Sequence, residues 1–264
     1  MKKFRILIAL LTVGILLNCS KDSDDNPIDG IDKSANLLAT GDSANDILSN
    51  TTYTRLVIEA AYVTGFRPTT ETMDNFQTYL RNRTFKEDIQ VVYRQLPSPE
   101  EETLTLQEIA DLESENRTEY NDGETLAIYI YFADAPSDDD DEDEGIVTLG
   151  AVYRNTSMVI HEVTVKKLAN QSALITTTDV ETATLNHEFG HLFGLVDLGT
   201  AMVNNHEDPD AENHCDIDGC LMRGELEFGG GMMGLLEKSK SAKGIAVPDL
   251  DAECILDLQN NGGR

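Results

Sequence analysis

Residues 187–197, HEFGHLFGLVD, constrain the fold of this 264-residue chain more than any other stretch. Just upstream, the TDVE segment at 178–181 has the capping-box pattern of a helix start, which predicts a helix from there to about Phe193. Side chains four residues apart lie on the same face of a helix. His187 and His191 therefore project in the same direction, and the chain must fold so that this face meets a shared partner.

Two imidazoles presented in this way are the ligands by which a helix binds zinc. Glu188 leaves the helix at a neighbouring angle, so its carboxylate can reach a water on the metal more easily than the metal itself. Gly194 can adopt a positive φ, which ends the helix and turns the chain so that Asp197 returns towards the imidazoles. We therefore predict one catalytic zinc ion bound by His187, His191 and Asp197, with Glu188 as the general base.

The full pattern at 187–197, HExxHxxGxxD, resembles the HExxHxxGxxH signature of the metzincin zinc proteases, which a Met-containing turn follows. With aspartate at the last position, the pattern resembles the motif of the snapalysin-like subset of this family. The resemblance implies an α+β zincin fold, in which a twisted mixed sheet packs on helices and Met222 lies in the Met-turn. It also implies a zinc endopeptidase that acts on a protein or peptide substrate.

The third zinc ligand has other candidates. Residues 214–222, HCDIDGCLM, resemble the archaemetzincin segment that begins with this ligand. Under that interpretation His214 binds the zinc and residues 198–213 are an insertion. His206 is a further candidate. We favour Asp197, because the turn after the zinc helix delivers that residue without a long insertion.

The cysteines allow two interpretations. The chain contains Cys19, Cys215, Cys220 and Cys254. Cys215 and Cys220 are close enough for a local disulfide, which an oxidising compartment favours and which leaves Cys254 over. The alternative is a structural zinc ion bound by His214 and the three downstream cysteines. The sequence leaves both open.

Residues 1–18 have the features of a secretory signal peptide, a basic start and an apolar run at 6–17 that is shorter than the ~20 residues of a membrane span. Cys19 follows at once, which resembles a bacterial lipoprotein signal whose cysteine becomes the lipidated first residue. An ordinary signal peptide with a chance cysteine is the alternative. The acidic segment after Cys19 is similar to the export signal of surface lipoproteins of the Bacteroidetes type, and it equally fits a solvated linker. We predict an outer-membrane lipoprotein with a tether over residues 19–50 and exposure at the cell surface.

Residues 51–264 are predicted to form the metzincin-like domain. Apolar patterns predict strands at 54–63, 88–96 and 124–133, and a hairpin at 148–153 and 158–163. Helices are predicted from Thr69 and Thr70 onward, at 104–112 and at 249–258. An edge strand in the hairpin can bind an extended peptide by strand addition.

The 20 basic and 48 acidic residues give a net charge of −28, which argues against a nucleic-acid partner and against electrostatic attraction to anionic lipid. The membrane is therefore expected to be a partner only through the lipid on Cys19, and we expect a monomer. The acidic run at 138–144 is expected to be a solvated loop, since no ligand spacing supports calcium there.

A non-catalytic surface lipoprotein, such as an adhesin or glycan-binding module with a structural metal site, is the rival function. Glu188 argues against it, because a structural site needs no base.

Overall fold

The structure is a computed structural model that describes residues 32–141, 146–227 and 229–264. The predicted signal peptide, the predicted lipidation site at Cys19 and the start of the tether lie outside the described residues. Residues 142–145 of the acidic run lie outside them as well. Within the described ranges, no helix is both long enough and apolar enough to cross a membrane.

Five strands form one mixed sheet: β1 (Arg55–Val63), β2 (Asp88–Leu96), β3 (Thr125–Phe132), β4 (Gly150–Arg154) and β5 (Ser157–Ile160). Their order across the sheet is β2-β1-β3-β5-β4. Strand β4 runs antiparallel to β5, whereas the other neighbouring pairs are parallel. Strand β4 is therefore an edge strand. Two further strands, β6 (Glu207–Asp208) and β7 (Ala211–Cys215), pair in a separate antiparallel ribbon.

Helices connect and cover these strands: α1 (Ala44–Leu48), α2 (Thr70–Arg83), α3 (Leu106–Asn116), α4 (Glu162–Ala169), α5 (Thr177–Leu192), α6 (Gly229–Lys243) and α7 (Ala252–Asn260). A mixed sheet packed on helices confirms the predicted fold class at this level.

Strand β3 shows that both faces of the sheet are covered. Its even-numbered side chains over 126–132 lie in the larger core, together with residues of α2, α4 and α5. Tyr129 and Tyr131 lie in a smaller core, together with Ile109 of α3. Because both faces are buried, β3 is apolar throughout instead of alternating with polar residues.

Helix α5 lies within the larger core. All its residues from Val180 to Leu192 are buried. The ring of Phe189 lies 5.2 Å from that of Phe76 on α2 and 5.1 Å from that of Phe193, in edge-to-face geometry. Packing on all sides therefore fixes the helix that carries the HExxH residues.

The predicted strands at 54–63, 88–96 and 124–133 are confirmed as β1, β2 and β3. Helix α5 is also confirmed, but its capping box consists of Thr176 and Asp179, so the predicted box at 178–181 is wrong. Glu181 is instead buried and accepts a 3.1 Å hydrogen bond from the Thr69 N–H.

Three helices, α1, α4 and α6, were missed by the sequence analysis. The strand predicted through residue 163 ends at Ile160, and α4 begins two residues later at Glu162. Helix α6 was not predicted, because its GGGMMG start is poor in intrinsic helix formers. Tertiary packing overrides local propensity in this segment.

The second half of the predicted tether belongs to the domain. Ala44, Ile47 and Leu48 of α1 are buried in the larger core. The Lys86 ammonium group donates a 2.6 Å hydrogen bond to the Asp46 carbonyl and also contacts the Ser49 carbonyl. The buried side chains of α1 and the ammonium group of Lys86 therefore hold residues 44–49 against the domain, although this segment is polar in composition.

Candidate metal centre

Three histidines meet beside α5. His187 and His191 come from that helix, and His214 comes from β7. One ring nitrogen from each lies within 4.8 Å of the other two. All three side chains are buried, with 0%, 5% and 7% of their surface exposed. Three imidazoles are thus held around one point, shielded from water.

Backbone carbonyls orient two of these rings. His187 Nδ1 lies 2.8 Å from the Leu221 carbonyl oxygen, and His214 Nδ1 lies 2.8 Å from that of Glu212. Each Nδ1–H therefore donates to a carbonyl, which leaves Nε2 with a free lone pair. Carbonyl partners of this kind fix both the tautomer and the ring orientation of a metal-binding histidine.

The spacing of the nitrogens fits zinc. His187 Nε2 and His191 Nε2 are 3.3 Å apart. Tetrahedral ligands at ~2.0–2.1 Å from one ion are separated by ~3.3 Å. Within the described chain, His214 Nε2 lies 2.9 Å from a Glu227 carboxylate oxygen but makes no hydrogen bond in good geometry, so this nitrogen and the carboxylate both face the place that a cation would occupy. The residues present therefore fit a zinc ion.

Burial also keeps the two imidazoles of α5 neutral. It lowers the pKa of His187 to about 4, with a further contribution from the neighbouring His214. Burial likewise lowers the pKa of His191, and both other histidines of the cluster add to the shift. Neutral imidazole is the form that binds a metal, so the two helix ligands are ready to bind at neutral pH.

Glu188 follows His187 directly on α5 and is not a member of the histidine cluster. Its side chain is 1% exposed, and its Oε1 has no hydrogen-bond partner among the described residues. Burial raises the pKa of this carboxyl group, and the negative charge of Glu227 adds to the shift. A buried carboxylate next to a metal site is suited to take up a proton.

Asp197 lies outside the cluster. Gly194 does adopt the expected positive φ of 70°, but Val196 and Asp197 continue in the left-handed region at 55° and 63°. The Thr200 N–H then donates a 2.8 Å hydrogen bond to the Gly194 carbonyl, which closes the turn on itself. Asp197 is therefore exposed at the surface. The structure brings His214 to the position for which the sequence analysis favoured Asp197.

Glu227 is a site residue that the sequence analysis missed. Its Oε2 lies 2.9 Å from His214 Nε2. Burial lowers the pKa of His214, but the Glu227 carboxylate outweighs this effect and the net shift is upward. A backbone hydrogen bond from Leu149 N to the Glu227 carbonyl, at 3.2 Å, ties this segment to the chain just before β4. No spacing relates Glu227 to the HExxH helix, so the sequence carried no signal for it.

A cavity of about 550 Å³ opens beside His214 and Glu227. Other carboxylates line it, with Arg223 as the cation: Asp208, Asp210, Glu212 and Glu225. Arg223 is already paired with Glu225 at 2.6 Å and with Asp208 at 3.4 Å. The remaining carboxylates give the cavity a negative potential.

Met222 packs against α5 between the two helix histidines. It is fully buried, and a Cβ added at Gly190 would overlap its sulfur. The Cys215 N–H donates a 2.7 Å hydrogen bond to the Met222 carbonyl. The methionine thus lies directly against the helix that carries the site. Its sulfur occupies the space that a side chain at position 190 would need.

A second group of metal-type ligands surrounds the cysteines. Ligand atoms of His206, Cys215, Asp251 and Cys254 lie within 4.8 Å of one another. Cys220 Sγ lies 3.7 Å from Cys254 Sγ, and the three cysteines are free thiols. Tetrahedral thiolate ligands at ~2.3 Å from zinc are separated by ~3.8 Å. The expected Cys215–Cys220 disulfide is therefore absent from the described chain.

His206 supplies the nitrogen of this group. Its Nδ1 lies 3.3 Å from Cys215 Sγ, and its Nε2 lies 2.8 Å from Asp257 Oδ2. Asp257 is fully buried, so the pair has the arrangement of a carboxylate that orients a metal-bound histidine. His214, which the sequence analysis grouped with the cysteines, belongs to the first cluster instead.

Comparisons with known proteins add one structural likeness. No protein-family model matches the chain, and no curated protein is significantly similar to it. The chain is similar to the crystal structure of archaemetzincin from Methanopyrus kandleri. The identity is 16% and the TM-score 0.48, over 80% of this chain and 96% of that one.

Proposed function

We propose that this protein is a zinc-dependent endopeptidase. The observation that carries the proposal is the convergence of three buried imidazoles, with a buried glutamate beside them that is not part of the cluster. A structural zinc site closes its coordination with four protein ligands, whereas a catalytic site has three and keeps one position open. Glu188 has a use only if chemistry takes place at that open position.

In this proposal, His187, His191 and His214 hold the ion. Zinc bound there supplies Lewis acidity, which lowers the pKa of a water towards ~7 and polarises a substrate carbonyl. Glu188 accepts the proton of the attacking water and delivers it to the leaving amine nitrogen. Burial of the carboxyl group supports this role, because it raises the pKa of Glu188 and so makes the carboxylate a stronger proton acceptor. Met222 would provide the floor of the site, as in a Met-turn.

Strand β4 is the surface that we propose for substrate binding. It lies at the edge of the sheet and is partly exposed from Ala151 to Arg154. An extended peptide can add to such an edge through backbone hydrogen bonds. The acidic cavity beside His214 offers room for a substrate side chain.

We also propose a second, structural zinc ion on Cys215, Cys220, Cys254 and His206. Asp251 is close enough to compete through its Oδ2, which accepts from Cys215 Sγ at 3.0 Å, while its Oδ1 caps α7 by accepting from the Glu253 and Cys254 N–H groups. Thiolates are the preferred ligands of zinc over a carboxylate. Hydrogen bonds from the other two thiols lower the pKa of Cys220, so the group already favours a thiolate.

The proposed endopeptidase would be anchored to the outer membrane through lipidated Cys19. The support is the sequence pattern alone, with its short apolar run ending at this cysteine. Cys19→Ser should then release the full-length protein from the membrane fraction into the soluble fraction. Unchanged partitioning of the variant would contradict the anchor.

Digestion of a peptide library tests the activity itself. Protein with its zinc content verified should cleave internal peptide bonds, lose cleavage when a chelator removes the metal, and regain it when zinc returns. A zinc-loaded protein that cleaves no member of a broad library would contradict the proposal. The non-catalytic surface lipoprotein would then be the better interpretation.

A further inference from the structure

The first residue of the edge strand touches the proposed base. If Gly150 carried a Cβ, that atom would lie 2.7 Å from Glu188 Cγ, 2.9 Å from Oε1 and 3.0 Å from Cδ. Real Cβ atoms do not approach other atoms so closely. The carboxyl group of Glu188 thus lies directly against the backbone of β4, in the space that a side chain at 150 would fill.

Contact with Glu188, and not backbone conformation, accounts for glycine at this position. Gly150 is not among the residues with positive φ, and its strand conformation suits any L-residue. The three atoms closest to a Cβ at 150 all belong to Glu188. Backbone strain therefore does not call for glycine here, and the closest contacts of a Cβ would all be with Glu188.

The same residue faces the proposed substrate. In an antiparallel pair, hydrogen-bonded and non-bonded positions alternate along the strand. The His161 N–H donates a 2.8 Å hydrogen bond to the Leu149 carbonyl, and the next pair along is Gly150 and Ile160. The N–H and C=O of Gly150 then point away from β5, towards the open edge of the sheet.

The geometry points to Gly150 as a positioning residue for Glu188, an inference that rests on the proposed function. Because Gly150 has no side chain, the carboxylate of the base reaches the edge at which a peptide backbone would be bound. A side chain at 150 displaces the carboxylate from that place and leaves the three histidines untouched. Glu188 is buried, so a displaced carboxylate has little free space to occupy.

Gly150→Ala tests this role in the full-length, zinc-loaded protein. A misplacement of about 1 Å in a catalytic group costs roughly 10²-fold. We expect kcat for peptide cleavage to fall by roughly that factor, while KM and zinc content stay at the wild-type values. Gly234→Ala is the matched control, since a Cβ there meets nothing within 4 Å and the residue lies on exposed α6. This control should keep wild-type kcat.

A thermal-denaturation cycle provides a readout that does not depend on activity. Gly150→Ala should lower the Tm by roughly 2–12 °C, as expected for one overpacked methyl group. In a Glu188→Ala background the same substitution should cause no loss, because the clashing side chain is gone. This double variant also covers the case in which Gly150→Ala alone fails to fold.

The outcomes separate the two proposals. A wild type without peptidase activity contradicts the proposed function, and the Tm cycle still decides whether residue 150 controls the place of Glu188. An active wild type with an equally active Gly150→Ala variant overturns the positioning role. Equal Tm losses in both backgrounds overturn it as well.

Discussion

Glu188→Gln should keep the zinc content of the wild type while peptide cleavage falls by about 10²–10⁴-fold, the usual loss when a general base is removed. The substitution preserves the size and shape of the side chain, so the packing against Gly150 stays. The amide cannot accept the proton of the attacking water. Because the three imidazoles are unchanged, the metal stays bound and peptides should still bind. Zinc analysis, together with kcat and KM on one peptide, checks the expectation.

The matched control is Glu237→Gln, which removes the same charge from an exposed part of α6. It should cleave at the wild-type rate. A zinc-loaded Glu188→Gln protein that cleaves as fast as the wild type would refute the base. Loss of the metal from this variant would instead make Glu188 a determinant of zinc binding.

His214→Ala should remove the catalytic zinc and abolish cleavage, whereas Asp197→Ala should leave both unchanged. Replacing an outer-shell partner of a metal ligand already costs about 10–100-fold in affinity, so loss of a ligand should cost at least about 100-fold. Asp197 is exposed and outside the cluster, so its removal takes nothing from the site. Competitive titration with a zinc indicator measures the affinity of each variant.

His206→Ala serves as the control for the second metal group. It should weaken the structural ion and lower the Tm, while the catalytic ion remains. Retention of the catalytic zinc by His214→Ala together with its loss from Asp197→Ala would return the assignment to Asp197. Wild-type protein that binds zinc at the three histidines but not at the cysteine group would contradict the structural ion.

Local interactions explain what the sequence alone determined. Helix α5 carries His187 and His191 one turn apart and begins at a capping box two residues before the predicted one, and both features depend on residues within four positions of each other. Strands β1, β2 and β3 were predictable for a similar reason, because their apolar runs and flanking turns lie within the segment itself. The prediction that these two histidines bind a metal, with Glu188 as a base between them, followed from that local geometry.

Tertiary structure decided the rest of the site. His214 reaches the helix histidines because β7 pairs with β6 and places its imidazole next to α5, a contact between segments that are distant in the chain. Gly194 adopts the positive φ that was predicted for it. Val196 and Asp197 are left-handed as well, and the chain turns so that Asp197 is exposed to solvent. Local rules fix the turn but not its direction relative to the core.

The same reason applies to Glu227, to Gly150 and to the grouping of His206 with the cysteines. Each is brought to its partner by the packing of separate elements, and none has a fixed sequence spacing from that partner. Sequence periodicity reports interactions within one helix or strand. Contacts between elements depend on how buried surfaces fit together, so they became visible only in the folded chain.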